Sequence, residues 1–131
     1  MALYSLDDFK QLVRSANWSY FNERRPYKHL AKLGWGNQEL ANVLCSLEPR
    51  DFRKTFQDQI VNNLPSMETV HADHYVINWD LDECVRRSDE WVQGHYSLLS
   101  TVELSIKIAI VQVKTGQVAG VVTFHDSNSW D

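Results

Sequence analysis

Near the C-terminal end, Ser105, Lys107 and His125 are the residues whose types suit chemistry on a polar substrate. Histidine exchanges protons near neutral pH and lysine offsets developing negative charge, so the pair suits acid–base work beside an anion. A serine is a nucleophile only with a base beside it. No strong base is evident for Ser105 and the nucleophile-elbow motif is missing, so Ser105 reads as inert. His71, Asp73 and His74 invite a metal reading. On a strand, however, residues 71 and 73 face one way and 74 the other, and on a helix only 71 and 74 align. Two ligands do not make a site, so neither metal nor other cofactor is expected. Gly34-Trp35-Gly36 is too short for a phosphate loop and lacks its Lys-Ser/Thr end, which argues against nucleotide hydrolysis. Cys45 and Cys84 lie in apolar patterns without a CxxC pair and read as buried thiols.

The elements that must position these residues follow from periodicity. Ser5 caps a helix to about Ser15, with Leu6, Phe9, Leu12 and Val13 on one stripe and Asp7 and Asp8 favouring the dipole. Trp18 to Phe21 is a short strand or extended connector. Pro26 suits the first turn of a second helix that Gly34 ends in the left-handed conformation. Asn37 opens a third, burying Leu40, Val43, Leu44 and Leu47. Pro49 starts a helical turn that Asp51, Phe52, Arg53 and Lys54 follow. Tyr75 to Trp79 alternates like a strand, and Leu81 to Arg87 reads as a helical turn. From Thr101 to Val113 apolar and polar residues alternate with period two, and Gln117 to His125 returns as the antiparallel partner.

Burial fixes the register of that hairpin. A three-residue loop at Lys114, Thr115 and Gly116 pairs Ile106 with Phe124 and Ile108 with Val122 on one face, and Ser105 with His125 and Lys107 with Thr123 on the other. A two-residue loop at Thr115 and Gly116 would mix polar with apolar on both faces. The three-residue loop therefore predicts a polar face displaying Glu103, Ser105, Lys107, Thr123 and His125.

The 131 residues match one domain, 1–131, with a core. A hydrophobic share of 44% with 23% charged residues belongs to a folded chain rather than a disordered one. No apolar run approaches the roughly 18 residues of a membrane span, and the N-terminus lacks a secretory signal, so no membrane partner and a cytoplasmic location are expected. The net charge of -4 weighs against nucleic-acid binding. Distribution counts for more than the sum. Arg24, Arg25, Lys28 and Lys32 form one basic cluster and Arg50, Arg53 and Lys54 another, while acids gather from Asp80 to Glu90.

Read in order, Leu33-Gly34-Trp35, Asn42 to Glu48 and Asp51-Phe52-Arg53-Lys54-Thr55-Phe56 resemble the central signature of the MqsR family of RelE-fold toxin ribonucleases. Leu6 to Val13 is similar to the family's opening helix. Trp91, Gln93 and Tyr96 echo its Trp-Gln-Asp-Val-Tyr segment, Ser105 to Ile108 its Tyr-x-Lys-Ile, and Val121 to His125 its strand ending Ser-Phe-Lys. The match covers about three quarters of the chain; the segment between Phe52 and Trp91 is longer than the family's.

This resemblance implies an α+β, RelE-like fold, an antiparallel sheet with N-terminal helices packed on one face. It implies metal-independent endoribonuclease cleavage of messenger RNA, with a cognate antitoxin protein as partner and no DNA. The family's motif lysine falls on Lys54 and its glutamine on Gln93. Its strand tyrosine falls on Ser105 and its C-terminal lysine on His125, two changed positions. Metal-free RNA cleavage needs a base for the 2′-hydroxyl proton, an acid for the leaving 5′-oxygen and a cation for the phosphorane. In that scheme His125 is acid or base, Lys54 stabilises charge and Gln93 donates to phosphate. Tyr96, Lys107 and the substituted position Ser105 sit in support, and Arg24, Arg25 and Arg53 hold RNA. The rival is a catalytically inactive protein of the same fold, an inhibitor or immunity-type partner whose acidic surface suits a basic target, with five tryptophans for its interface.

Overall fold

The computed structural model describes residues 1–22, 24–95 and 100–126, with Arg24 and Arg25 described by their backbone alone. Helix α1 spans Leu6–Arg14, and Ser5 caps it by accepting from the Asp8 N–H at 3.2 Å. Strand β1, Trp18–Tyr20, is short. Helix α2 covers Arg24–Leu33 and ends at Gly34, whose φ of +72° takes the left-handed conformation expected of it. Helix α3, Asn37–Ser46, is capped by Gly36 rather than by Asn37. The Gly36 N–H donates to the Glu39 side chain, so Asn37 is its first helical residue.

Strands β2 (Phe52–Ile60), β3 (Thr69–Asp80) and β4 (Val85–Arg87) follow, then the short helix α4 (Asp89–Gly94), β5 (Thr101–Val113) and β6 (Gly116–Asp126). Three expectations are corrected here. The helical turn at Pro49 is a 3-10 turn of Pro49–Asp51 only, so Lys54 lies on a strand. Leu81 to Arg87 is a tight turn leading into β4, closed by Asp80, whose carboxylate accepts from the Asp82 and Glu83 N–H groups at 3.0 Å. Cys84 sits in that turn at a φ of +56° and is exposed, not buried; Cys45 is half-buried.

The described residues form a six-stranded sheet in the order β1-β6-β5-β3-β2, with β4 also paired to β3. It is antiparallel except that β1 runs parallel to β6, a departure from the purely antiparallel sheet expected. The fold is thus α+β, with α1, α2 and α3 packed on one face. Phe9, Val13, Leu30, Leu40, Val43 and Leu44 from the helices meet Tyr75, Ile77, Leu104, Ile106, Ile108, Val121 and Phe124 from the strands. Removing each such side chain from water contributes roughly 1.5–3 kcal/mol.

The hairpin register reaches its expected end by another route. Ser105 pairs with His125, Ile106 with Phe124 and Lys107 with Thr123, but the turn has only two residues, Lys114 and Thr115, and Val113 faces Gly116. Ile108 pairs with Val121 instead of Val122, and a bulge at Val122 restores the register. A smaller core covers part of the opposite face, where Phe21, Val61, Val70, Ala72, Ala109, Val111 and Val122 pack together. The Phe21 ring lies directly on Gly120, where any Cβ would come within 2.1 Å of it. Asn22 clasps the cover in place, donating to the carbonyls of Val122 at 2.8 Å and Ile60 at 3.0 Å.

Candidate active site on the open sheet face

Strand alternation decides which side chains reach the part of that face outside the smaller core. Tyr75, Ile77 and Trp79 enter the helix-side core, so His74, Val76 and Asn78 point the other way. Cross-strand pairing then assembles two rows. Lys54 lies opposite His74, His74 opposite Lys107, and Lys107 opposite Thr123. In the next row Val76 faces Ser105 and Ser105 faces His125. The polar face expected from β5 and β6 is present, and β2 and β3 add Lys54, Phe56 and His74 to it.

Ser105 has a histidine beside it after all. His74 Nε2 lies 2.6 Å from Ser105 Oγ, and Ser105 is only 6% exposed. The Phe56 ring meets His74 edge-on, with centroids 5.7 Å apart. Lys54 Nζ and Lys107 Nζ lie 4.4 and 4.1 Å from the centre of the same Phe56 ring, whose π-electrons attract both ammonium groups. Lys107 also donates to Gln59 Oε1 at 3.0 Å. Helix α2 packs against β6 and brings the buried His29 ring to 5.8 Å from that of His125.

The electrostatics favour an anion. Partial burial lowers the His74 pKa from 6.5 to about 4, assisted by the positive charges of Lys107, His125, Arg53 and Lys54. A neutral imidazole at pH 7 therefore sits among cations, although the chain carries a net charge of -4. Several acids are paired elsewhere: Asp51 and Glu48 with Arg86, Asp80 with Arg87. The Asp51–Arg86 contact is bidentate, at 2.6 and 2.7 Å.

Of the residues singled out from sequence, Lys54, Ser105, Lys107 and His125 come together. Arg53 borders them from the bulge before Lys54, its guanidinium 3.3 Å from the Asp51 carbonyl oxygen. Gln93 is exposed on α4, apart from the two rows. Arg24 and Arg25 open α2, and Tyr96 lies outside the described residues. His74 emerges from the sequence only as part of an unsuitable metal set. Its one legible signal is its place in the alternation of β3, extended one residue before Tyr75. The metal set itself disperses. Asp73 accepts from the Leu3 and Tyr4 N–H groups and from Thr55 Oγ1, and His71 Nδ1 accepts from the Asp58 N–H. Among the described residues no group of three His, Cys, Asp or Glu has the arrangement of a metal site, and no helix is long and apolar enough to cross a membrane. Compared with known proteins, the chain matches no family model, no curated protein and no solved structure.

Proposed function

We propose that this chain is a metal-independent endoribonuclease of RelE-like fold acting on messenger RNA, the toxin of a toxin–antitoxin pair, as its resemblance to the MqsR family implies. The observation that carries the reading is His74, kept neutral and hydrogen-bonded to Ser105, between Lys54, Lys107 and His125 on one open face. In this scheme the 2′-oxygen attacks the adjacent phosphorus and its proton passes to His74. The phosphorus–5′-oxygen bond breaks, and His125 protonates the leaving oxygen. The products are a 2′,3′-cyclic phosphate and a 5′-hydroxyl. Lys54 and Lys107 offset the charge that gathers on the phosphorane. In this scheme His74 is the tautomer whose Nε2–H donates to Ser105, which leaves Nδ1 as the basic atom. Gln93 and Arg53 donate to phosphates beyond the scissile one, and a cognate antitoxin protein silences the enzyme in the cell.

The test combines induced expression, growth and mapped messenger RNA cuts with cleavage by the purified chain in excess EDTA. Growth arrest with discrete cuts, a cyclic phosphate product and loss of all three in Lys54→Ala and His125→Ala is the expected result. Normal growth and intact RNA at confirmed expression would sink the reading in favour of an inactive protein-binding relative.

A further inference from the structure

Trp18, Trp35 and Trp79 pack into the larger core; Trp91 joins neither core, and α4, which carries it, buries no residue. Its ring is nevertheless highly organised. The Arg87 guanidinium carbon lies 4.3 Å from the Trp91 ring centre, and the His95 ring stacks on it at 4.2 Å with an interplanar angle of 11°. Two planar groups this close to one centroid cannot share a face, so Arg87, Trp91 and His95 form a three-layer ladder with the indole in the middle. The lower end is fixed because Arg87 is also bound to Asp80 at 3.2 Å. The upper end is fixed because His95 Nδ1 lies 2.7 Å from the Trp91 carbonyl oxygen. A carbonyl only accepts, so Nδ1 carries the proton and the ring cannot turn freely. His95 is exposed, and its ring contact among the described residues is with Trp91, on one side of the ring.

The ladder is linked to the candidate active site by a cleft of about 230 Å³, lined by Arg50, Arg53, Arg86 and Arg87, by the acids Asp51, Asp89 and Glu90, and by Val76 and Asn78 toward the sheet. Asn78 ties α4 to the sheet by donating to Asp89 at 2.8 Å. Val76 is the direct neighbour of Ser105 in the row that ends at His125. A flexible chain with an anionic backbone and flat aromatic side groups matches both features, and a duplex, whose bases are already stacked, does not.

We propose that the Arg87–Trp91–His95 ladder is a stacking subsite for one unpaired base of a single-stranded RNA, with the sugar-phosphate chain running through the arginine-lined cleft toward Ser105 and His125. This deepens the ribonuclease reading by placing a base-binding subsite outside the reacting rows. It selects single strands by stacking, and tolerates any base because every base has a π-face.

The probe is a short 2′-O-methyl oligoribonucleotide, which cannot be cleaved through its 2′-oxygen, carrying 2-aminopurine at one position after another. Binding by the full chain quenches the fluorophore at one position. His95→Ala abolishes that quenching and weakens binding about ten-fold, the effect of losing one stacked base; His95→Phe restores both. Binding without quenching at any position, or unchanged quenching in His95→Ala, overturns the ladder even if unmodified RNA is cut. Quenching that responds to His95 while unmodified RNA stays intact supports the ladder and counts against the cleavage reading.

Discussion

One face of the sheet, traced along the same three strands, changes character half-way. At one end β3 presents Val70 and Ala72, β5 presents Ala109 and Val111, and β6 presents Val122, all sealed under Phe21 and Val61. At the other end the corresponding positions are His74 and Asn78, Ser105 and Lys107, and Thr123 and His125. The backbone geometry of a strand is indifferent to this change; the cover is what differs. Sealing the first end supplies the apolar burial that a half-polar sheet layer would otherwise lack. The second end is then able to carry a cluster of cations and a neutral histidine that a closed core would reject, because unpaired buried charge is costly. The bulge at Val122 falls at the boundary. It lets β6 keep Val122 in the sealed end while turning Thr123 and His125 to the open one.

If this division is right, substitutions at the two ends should differ in kind. Phe21→Ala opens the sealed end and should destabilise the fold by about 3–5 kcal/mol, read by chemical denaturation, with activity lost only as the chain unfolds. His125→Ala should slow RNA cleavage by roughly 10²- to 10⁴-fold while leaving the denaturation midpoint nearly unchanged. Equal damage to stability would place His125 in the architecture instead. Ser105→Ala removes the hydrogen-bond partner of His74 and should cost about 1 kcal/mol of stability, with a larger loss in kcat than in KM. Lys107→Ala gives the smallest effect, about 0.5–1 kcal/mol for its contact with Phe56, and a shallower salt dependence of RNA binding.

The pH dependence sharpens the same contrast. The folded pKa of His74, about 4, lies below its ordinary 6.5. Between those values the unfolded chain binds a proton that the folded chain refuses, so stability falls as pH drops from about 6.5 to about 4. Denaturation across that range should show this slope, and His74→Gln should flatten it. If His74 is the base, the acidic limb of the cleavage profile should also lie near 4 rather than near 6.5.

Much of this arrangement is legible in the residues. The alternation of Val102 to Ile110 against Glu103 to Lys107 identifies β5 and its polar face, and Ser5, Gly34 and the stripe Leu40, Val43, Leu44 and Leu47 mark helix boundaries and a buried face. These signals are local: a cap bonds three residues away, and a strand's two faces differ by one residue. The Lys54 segment is less legible because a short run after Pro49 suits a helical turn and a strand equally, and pairing with β3 decides between them. Cys84 reads as apolar beside Val85, but the Asp80 turn holds it outward.

The sequence by itself determined the alternating strands, the capped helices and the presence of basic residues in an acidic chain. Those properties are fixed by side-chain period, backbone sterics and charge. Only the tertiary structure decided that His74 from β3 lies against Ser105 from β5, that Lys54 and Lys107 converge on Phe56, and that a bulge rather than a longer loop turns His125 to the open face. Each joins residues more than ten positions apart or depends on a bulge, and these are settled by the simultaneous burial of several strands.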